Sequence, residues 1–368
     1  MEFRLATEKD DPAIRELLKQ IPLNGMLRIR YLREPSYTRS VEIQGMPRQT
    51  LVGLINNKVV AVGSRNIQQL HIGGDIKTAG YISNLRFHHG ARHGISLLKG
   101  IRQMEDLPAS RPINFHYATL IDRDSLTRNI LVSNRPRMPL VIDMGLLNTF
   151  SIPVRKKRIN VKPGKKFEII RGDENLMPRI LSFLKKEGTR KDFFQDLDSG
   201  AYAPSLLQPD SFFAVFDKGN IAGVCSVPDM KSYRQYIMEG YSLSFAMIRA
   251  PLSLFYSLRG LRSIPRKGEE IKLAFVGFPV VRDDDPEIFR ALLTHVYNSL
   301  SGTGLHYLSI ALYEKSPLIR SLSHFPKINY TSRLYMIKLN NDKFTAEKIA
   351  AYRLQKNKSI PFVDLLRL

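Results

Sequence analysis

The sequence predicts an α/β (α+β) chain of two similar halves, each a mixed, mostly antiparallel sheet flanked by helices. Three observations predict it. A strand, an acidic turn and an amphipathic helix occur twice, as FRLATEKDDPAIRELLKQI (Phe3–Ile21) and FEIIRGDENLMPRILSFLKK (Phe167–Lys186). At one constant offset Phe3 matches Phe167, Arg15 matches Arg179 and Leu17 matches Leu181. Each half then has a hairpin pattern, and each has a central apolar strand that runs into an amphipathic helix.

TLVGLINNKVVAVGSRNI (Thr50–Ile67) reads as two apolar strands around Asn56-Asn57. SFFAVFDKGNIAGVCSV (Ser211–Val227) reads the same way around Lys218-Gly219-Asn220. Asn and Gly tolerate the left-handed backbone that a tight hairpin turn demands. GYISNLRF (Gly80–Phe87) is a strand, and the helix after it places Ile95, Leu98, Ile101 and Met104 on one face. LAFVGFPVV (Leu273–Val281) precedes a helix over Glu287–Leu300 in the same manner. INFHYATLI (Ile113–Ile121) and LHYLSIALY (Leu305–Tyr313) are the next strands, and LVIDMGLLNTFSIPV and YTSRLYMIKL close the two halves. The order β-α-β-β-β-α-β-α-β therefore occurs twice and predicts two separate sheets of like topology. The boundaries expected are 1–150 for the first domain, a basic linker over Ser151–Lys166, 167–345 for the second domain with an insertion at 229–270, and a C-terminal tail over 346–368.

At 368 residues the chain exceeds the length, about 250–300 residues, at which single cores stop growing. Cys225 is the only cysteine, which excludes an internal disulfide and a cysteine metal cluster. The start, MEFRLATEKDD, has no apolar signal core, so a cytoplasmic location is expected. The formal net charge is +22, and residues 151–166 carry seven basic and no acidic side chains. Spread positive charge implies anionic partners: nucleic acid, anionic lipid or a phosphorylated cofactor. Tyr241–Leu261 is long enough to span a bilayer but contains Arg249, Arg259 and Pro251. Each arginine costs roughly 2.5–3.5 kcal/mol near a bilayer centre, which argues against an integral membrane span.

The order of elements resembles the Gcn5-related N-acetyltransferase (GNAT) fold, here as a tandem pair. Members present their fourth strand followed by [Arg/Gln]-x-x-Gly-x-[Gly/Ala], whose amides hold the pyrophosphate of an acyl-CoA. The register here is ARHGIS: Ala91 replaces the Arg/Gln, Arg92 is displaced by one, Gly94 keeps the first glycine and Ser96 is the small residue. A helix N-terminus with such amides attracts anions. The resemblance implies acetyl-CoA or another acyl-CoA as co-substrate, with Arg92, His93, Gly94, Ile95 and Ser96 facing the pyrophosphate. It also implies that Leu85, Arg86 and Phe87 pair by backbone with the pantetheine arm. The matching turn of the second half, VVRDDDPEIFRALL, holds Asp283, Asp284 and Asp285, which repel a pyrophosphate. The donor site is thus expected in the first half alone.

Direct N-acylation needs a base for the ammonium and an acid for the leaving thiolate. The family's usual tyrosine acid is missing from the helix expected near Ser125–Val132, and Tyr117 on the fifth strand is the substitute nearest in sequence. His88 and His89 end the fourth strand and His116 sits in the fifth; histidine suits base work near neutral pH. Asp122, after the fifth strand, is a further candidate base, while Asp124 or Ser125 suits a helix cap. The catalytic candidates are therefore His89, His116, Tyr117 and Asp122, acting on an amine-bearing acceptor; no metal is expected. The alternative function is a non-catalytic or tRNA-dependent member of the tandem fold that binds nucleic acid through its basic surface.

Overall fold

The computed structural model describes residues 1–91, 94–109, 111–121, 139–157, 167–199, 204–355 and 360–368. Strand β1 (Glu2–Leu5) enters helix α1 (Asp11–Gln20) through a tied turn: Asp10 accepts from the Thr7 backbone N–H at 2.7 Å and from both Arg4 nitrogens at 2.8 Å. The Arg4 guanidinium holds the Asp10 carboxyl well below the usual range. Ile14, Leu17 and Leu18 are the buried face of α1, at the spacing of one helical stripe. Strands β2 (Leu27–Leu32), β3 (Arg48–Ile55), β4 (Lys58–Ile72) and β5 (Asp75–Phe87) follow, with a short helix α2 (Tyr37–Ser40) after β2. The β3–β4 turn is Asn56-Asn57, with φ of 51° and 59°. Helix α3 (Gly94–Glu105), β6 (Phe115–Ile121) and β7 (Leu140–Pro153) complete the half.

The second half repeats the order: β8 (Glu168–Arg171), α4 (Met177–Gly188), a short β9 (Phe194–Gln195), then the hairpin β10 (Phe212–Asp217) and β11 (Asn220–Ser226). Its turn, Lys218-Gly219, again has positive φ at both residues. Strand β12 (Gln235–Tyr241) and helix α5 (Leu243–Leu258) are the insertion. Strands β13 (Leu273–Phe275) and β14 (Gly277–Val281), helix α6 (Pro286–Ser299), β15 (Tyr307–Tyr313), β16 (Ile328–Lys338) and helix α7 (Ala346–Gln355) end the chain's order. One detail marks the repeat strongly. Asn84 and Phe278, each three residues before the end of its strand, both sit at a bulge with positive φ, 54° and 48°. Left-handed backbone is rare for a phenylalanine, so two such bulges at one place reflect one architecture.

The sheets depart from the expected arrangement. Strands β1-β3-β4-β5-β6-β16-β7-β15-β13 form one sheet, with β9 added on β4, while β14-β11-β10-β8 form a second, four-stranded sheet. The two separate like sheets are therefore not what forms. The closing strands are exchanged: β16 of the second half pairs with β6 of the first, β7 of the first pairs with β15 of the second, and β7 and β16 pair with each other. Exchange leaves no open edge where the halves meet. Gly145 permits the bend in β7; its φ is 113°, and a Cβ there would lie 2.5 Å from the Tyr313 hydroxyl. The first four strands keep the repeated neighbour order, β1-β3-β4-β5 against β8-β10-β11-β14.

One face of the large sheet, including Tyr81, Phe115, Tyr117 and Leu334, packs on Ile180 and Leu184 of α4, on Phe212 and on the C-terminal Phe362 and Leu366. The other face meets α3 through Leu97 and Ile101 against Ala118, Val141 and Ile337. The buried face of α3 is Leu97, Ile101 and Met104, rotated from the predicted one, and Ile95 is exposed. Strand β12 pairs with β2, so the insertion of the second half builds a two-stranded sheet with the first.

Candidate active site

Strands β5 and β6 run parallel, with Ala79–Ile82 paired to Phe115–Ala118, and the ladder stops there. Beyond it β5 continues through the Asn84 bulge to Phe87, so the two strands open into a wedge. The bulge is held by its own side chain: Asn84 Nδ2 donates to Gln44 Oε1 at 2.8 Å, and Arg33 donates to Asn84 Oδ1 at 3.0 Å. Leu85 and Phe87 lie with Leu120 under Leu97 and Ile101 of α3. The far end of α3 is anchored by buried Arg65, which donates to the carbonyls of Met104 at 2.8 Å and Leu107 at 2.9 Å. Burial lowers the Arg65 pKa to about 10, still charged at neutral pH.

The predicted site residues distribute unevenly around this wedge. Arg86 is half-buried at the end of β5, Ser96 is buried, and His89 is exposed in the turn before α3. Gly94 begins α3. Arg92, His93 and Asp122, and the helix expected near 125–132, lie outside the described residues. His116 is buried: its Nδ1 meets the Asp342 carboxylate at 2.9 and 3.0 Å, and its ring lies flat on Gly80 of β5. Tyr117 is buried on the opposite face and donates to Gln68 Oε1 at 2.6 Å, and burial raises its pKa.

Also near the wedge is a tyrosine–arginine cluster that the sequence reading missed: the Tyr31 and Tyr236 rings lie 5.3 Å apart, and Arg33 lies over the Tyr31 ring at 5.1 Å. Tyr81 reaches across the wedge to Thr119 Oγ1 at 3.2 Å, and burial pushes its pKa up to about 12. Its hydroxyl also feels Tyr31, Arg33 and Arg234. Tyr236 feels Arg234, Tyr31, Tyr330 and Arg33 in turn, although burial is the main cause of its raised pKa. Tyr330 keeps 47% of its surface accessible, yet burial is the first cause that raises its pKa too. Arg33 and Arg234 are buried, and among the described residues neither meets a carboxylate side chain; Arg33 donates to Ser40 and Asn84, Arg234 to backbone oxygens of Leu365 and Leu368. The Nε of each has no hydrogen-bond partner among the described residues. The signal was present as RIRYLRE (Arg28–Glu34), where Tyr31 and Arg33 fall on one face of a strand by period two.

The second half's wedge is filled. Strand β13 pairs in parallel with β15, β14 diverges, and the chain's own Ile360–Leu366 lies between. The Phe278 N–H donates to Asp364 Oδ2 at 3.2 Å, and a Cβ on Gly277 would lie 2.1 Å from Leu366. A cavity of about 20 Å³ remains, walled by Pro279, Ala311, Tyr313, Ile360 and Phe362. That is one water's space. The turn aspartates are engaged internally: Asp283 with Arg190 at 3.6 Å, Asp284 with Lys191, and Asp285 caps α6 by accepting from the Glu287 N–H at 2.7 Å.

Burial raises the Asp364 pKa from 3.8 to about 6. The folded chain then holds a proton that the unfolded chain releases between those values, so stability falls as pH rises through the window. The full difference is about 3 kcal/mol. Denaturant unfolding of Asp364→Asn should lose that slope relative to wild type; an unchanged slope would assign it to other groups.

No protein-family model and no curated protein matches the chain. Solved structures do. A GCN5-related glucosamine N-acetyltransferase region of a fungal multi-domain GH3 β-N-acetylglucosaminidase superposes with a TM-score of 0.57 at 11% identity, over 91% of this chain and 38% of that one. This chain thus spans well under half of that enzyme. Saccharomyces cerevisiae N-myristoyltransferase with bound myristoyl-CoA and inhibitors superposes with a TM-score of 0.55 at 11% identity, over 91% and 79% of the two chains. A second structure of that enzyme with myristoyl-CoA gives 0.54 at 10%, over 95% and 83%. The chain shares the tandem GNAT-like fold of these structures.

Proposed function

We propose that the chain is an acyl-CoA-dependent N-acyltransferase that transfers an acyl group directly to an amine, with one donor site, in the first half. The observation that supports this reading is the asymmetry of the two wedges. The β13/β14–β15 wedge is occupied by Ile360–Leu366, and its helix N-terminus is capped by Asp285. The β5–β6 wedge has a helix start at Gly94 on one side and the Tyr81–Thr119 contact beside the tyrosine cluster on the other. The superposed yeast enzyme holds myristoyl-CoA, which agrees with an acyl-CoA donor.

In this reading Leu85, Arg86 and Phe87 line the pantetheine arm, and Arg92, His93, Gly94, Ile95 and Ser96 surround the pyrophosphate. The acceptor enters beside Tyr31, Tyr81, Tyr236 and Tyr330. Its nitrogen attacks the thioester carbonyl, the C–N bond forms as the C–S bond breaks, and the proton given up by nitrogen returns to the thiolate. His89 or Asp122 removes the amine proton. His116 and Tyr117 act by holding the two strands that form the wedge.

Calorimetric titration with acetyl-CoA and with a long-chain acyl-CoA tests the reading. One site per chain is expected. Two equivalent sites would mean that the second wedge opens, and no binding of either thioester would end the donor assignment.

A further inference from the structure

Helix α5 presents to solvent what a buried helix would hide. Leu243 is 88% exposed, Met247 77%, Leu254 63% and Leu258 79%, and Ile248 and Phe255 are about half exposed beside them. At 100° per residue the first four fall within an arc of about 60°. The other exposed positions of the helix in that arc's surroundings are Ser244, Ala246, Ala250, Pro251 and Ser257, so the outward face has no charge. The underside is well seated: Phe245 and Tyr256 are buried against Leu261 and Ile264, and the Ser242 hydroxyl caps the helix start. The stripe is thus a fixed surface of the folded protein.

Charge selects its partner. No acidic residue occurs between Glu239 and Glu269, while Arg249, Arg259, Arg262, Arg266 and Lys267 all fall within that interval. Arg249 lies over the Tyr241 ring at 5.3 Å and Arg259 over the Phe255 ring at 4.9 Å. Each guanidinium is therefore folded along apolar surface at the flank of the stripe, the disposition of a snorkelling side chain. No helix among the described residues is long and apolar enough to cross a membrane, and sixteen residues span only about 24 Å against a hydrocarbon core of about 30 Å. A second copy of the chain, docked by this same face, would set one five-cation segment against another.

We infer that α5 lies flat in the interface of an anionic phospholipid bilayer, its Leu243–Met247–Leu254–Leu258 stripe among the acyl chains and the flanking cations at the headgroups. This inference is independent of the acyl-transfer reading.

Co-sedimentation of the full chain with vesicles tests it. Wild type should bind vesicles of phosphatidylcholine and phosphatidylserine at low salt, and at least tenfold less on pure phosphatidylcholine or at high salt, because exposed charges are screened. The double variant Leu243→Glu/Leu254→Glu should lose binding at least tenfold while melting like wild type, since both side chains are exposed. Absence of wild-type binding, or undiminished binding of the double variant, would overturn the inference. So would sedimentation equilibrium showing a dimer that the double variant dissolves.

Discussion

His116→Ala should lower folding stability by about 3 kcal/mol, because it removes a hydrogen-bond partner of a buried carboxyl group, worth about 1–3 kcal/mol, and leaves a cavity where the ring stood. Among the described residues the Asp342 carboxylate has two contacts with His116 Nδ1, at 2.9 and 3.0 Å, and one further donor, the Leu339 N–H at 2.9 Å. Both side chains are almost fully buried. Truncation leaves that carboxylate with a single hydrogen bond in a dry site, and it removes the ring that covers Gly80, where a Cβ would lie 2.3 Å from Cδ2. Asp342→Asn keeps shape and one acceptor, so about 1–2 kcal/mol is expected. Denaturant unfolding of both variants checks the order. The pair also has the form of a catalytic base with its orienting carboxylate, but its Nε2 is packed against β5 instead of facing a substrate. Full stability of His116→Ala combined with lost acyl transfer would restore the catalytic assignment.

The contrast between His116 and the tyrosine cluster shows what a sequence can disclose here. Period and turn chemistry mark elements and hairpins, so the repeat and the Asn56-Asn57 and Lys218-Gly219 turns were legible, while the buried face of α3 came out rotated. Pairing partners were not. An apolar strand such as Leu140–Pro153 reads the same whether it closes its own half or crosses to β15, and the exchange with β16 is decided by tertiary fit. The tyrosine cluster was missed for a related reason. Tyr31 lies in β2 and Arg33 just past its end, Arg234 and Tyr236 belong to an insertion about two hundred residues away, and only the β2–β12 pairing, Tyr31 opposite Tyr236, brings them together. The plug Ile360–Leu366 fell within the expected 346–368 tail because seven residues after a helix have no periodicity to reveal burial.

Gly94→Glu should weaken acyl-CoA binding at least a hundredfold. Gly94 is the first residue of α3, a twelve-residue helix whose N-terminus presents about half a positive charge. A glutamate there places a full negative charge where the proposed pyrophosphate sits. Two unit charges about 4 Å apart at an effective dielectric of 20 repel by roughly 4 kcal/mol, so even partial screening leaves more than the 2.7 kcal/mol or so that a hundredfold loss requires. The same carboxylate in the first turn favours the helix itself, by about 0.3–1 kcal/mol. Binding should therefore collapse while the melting temperature holds or rises, a separation that a merely disruptive substitution would not give. Arg92→Ala, which removes one cation but no amide, should weaken binding by about tenfold. In the second half Asp284→Asn should leave acyl-CoA affinity unchanged, because Ile360–Leu366 occupies that wedge whatever the charge of the turn. Unaltered affinity in Gly94→Glu would remove the donor site from α3 and with it the placement of the thioester between β5 and β6.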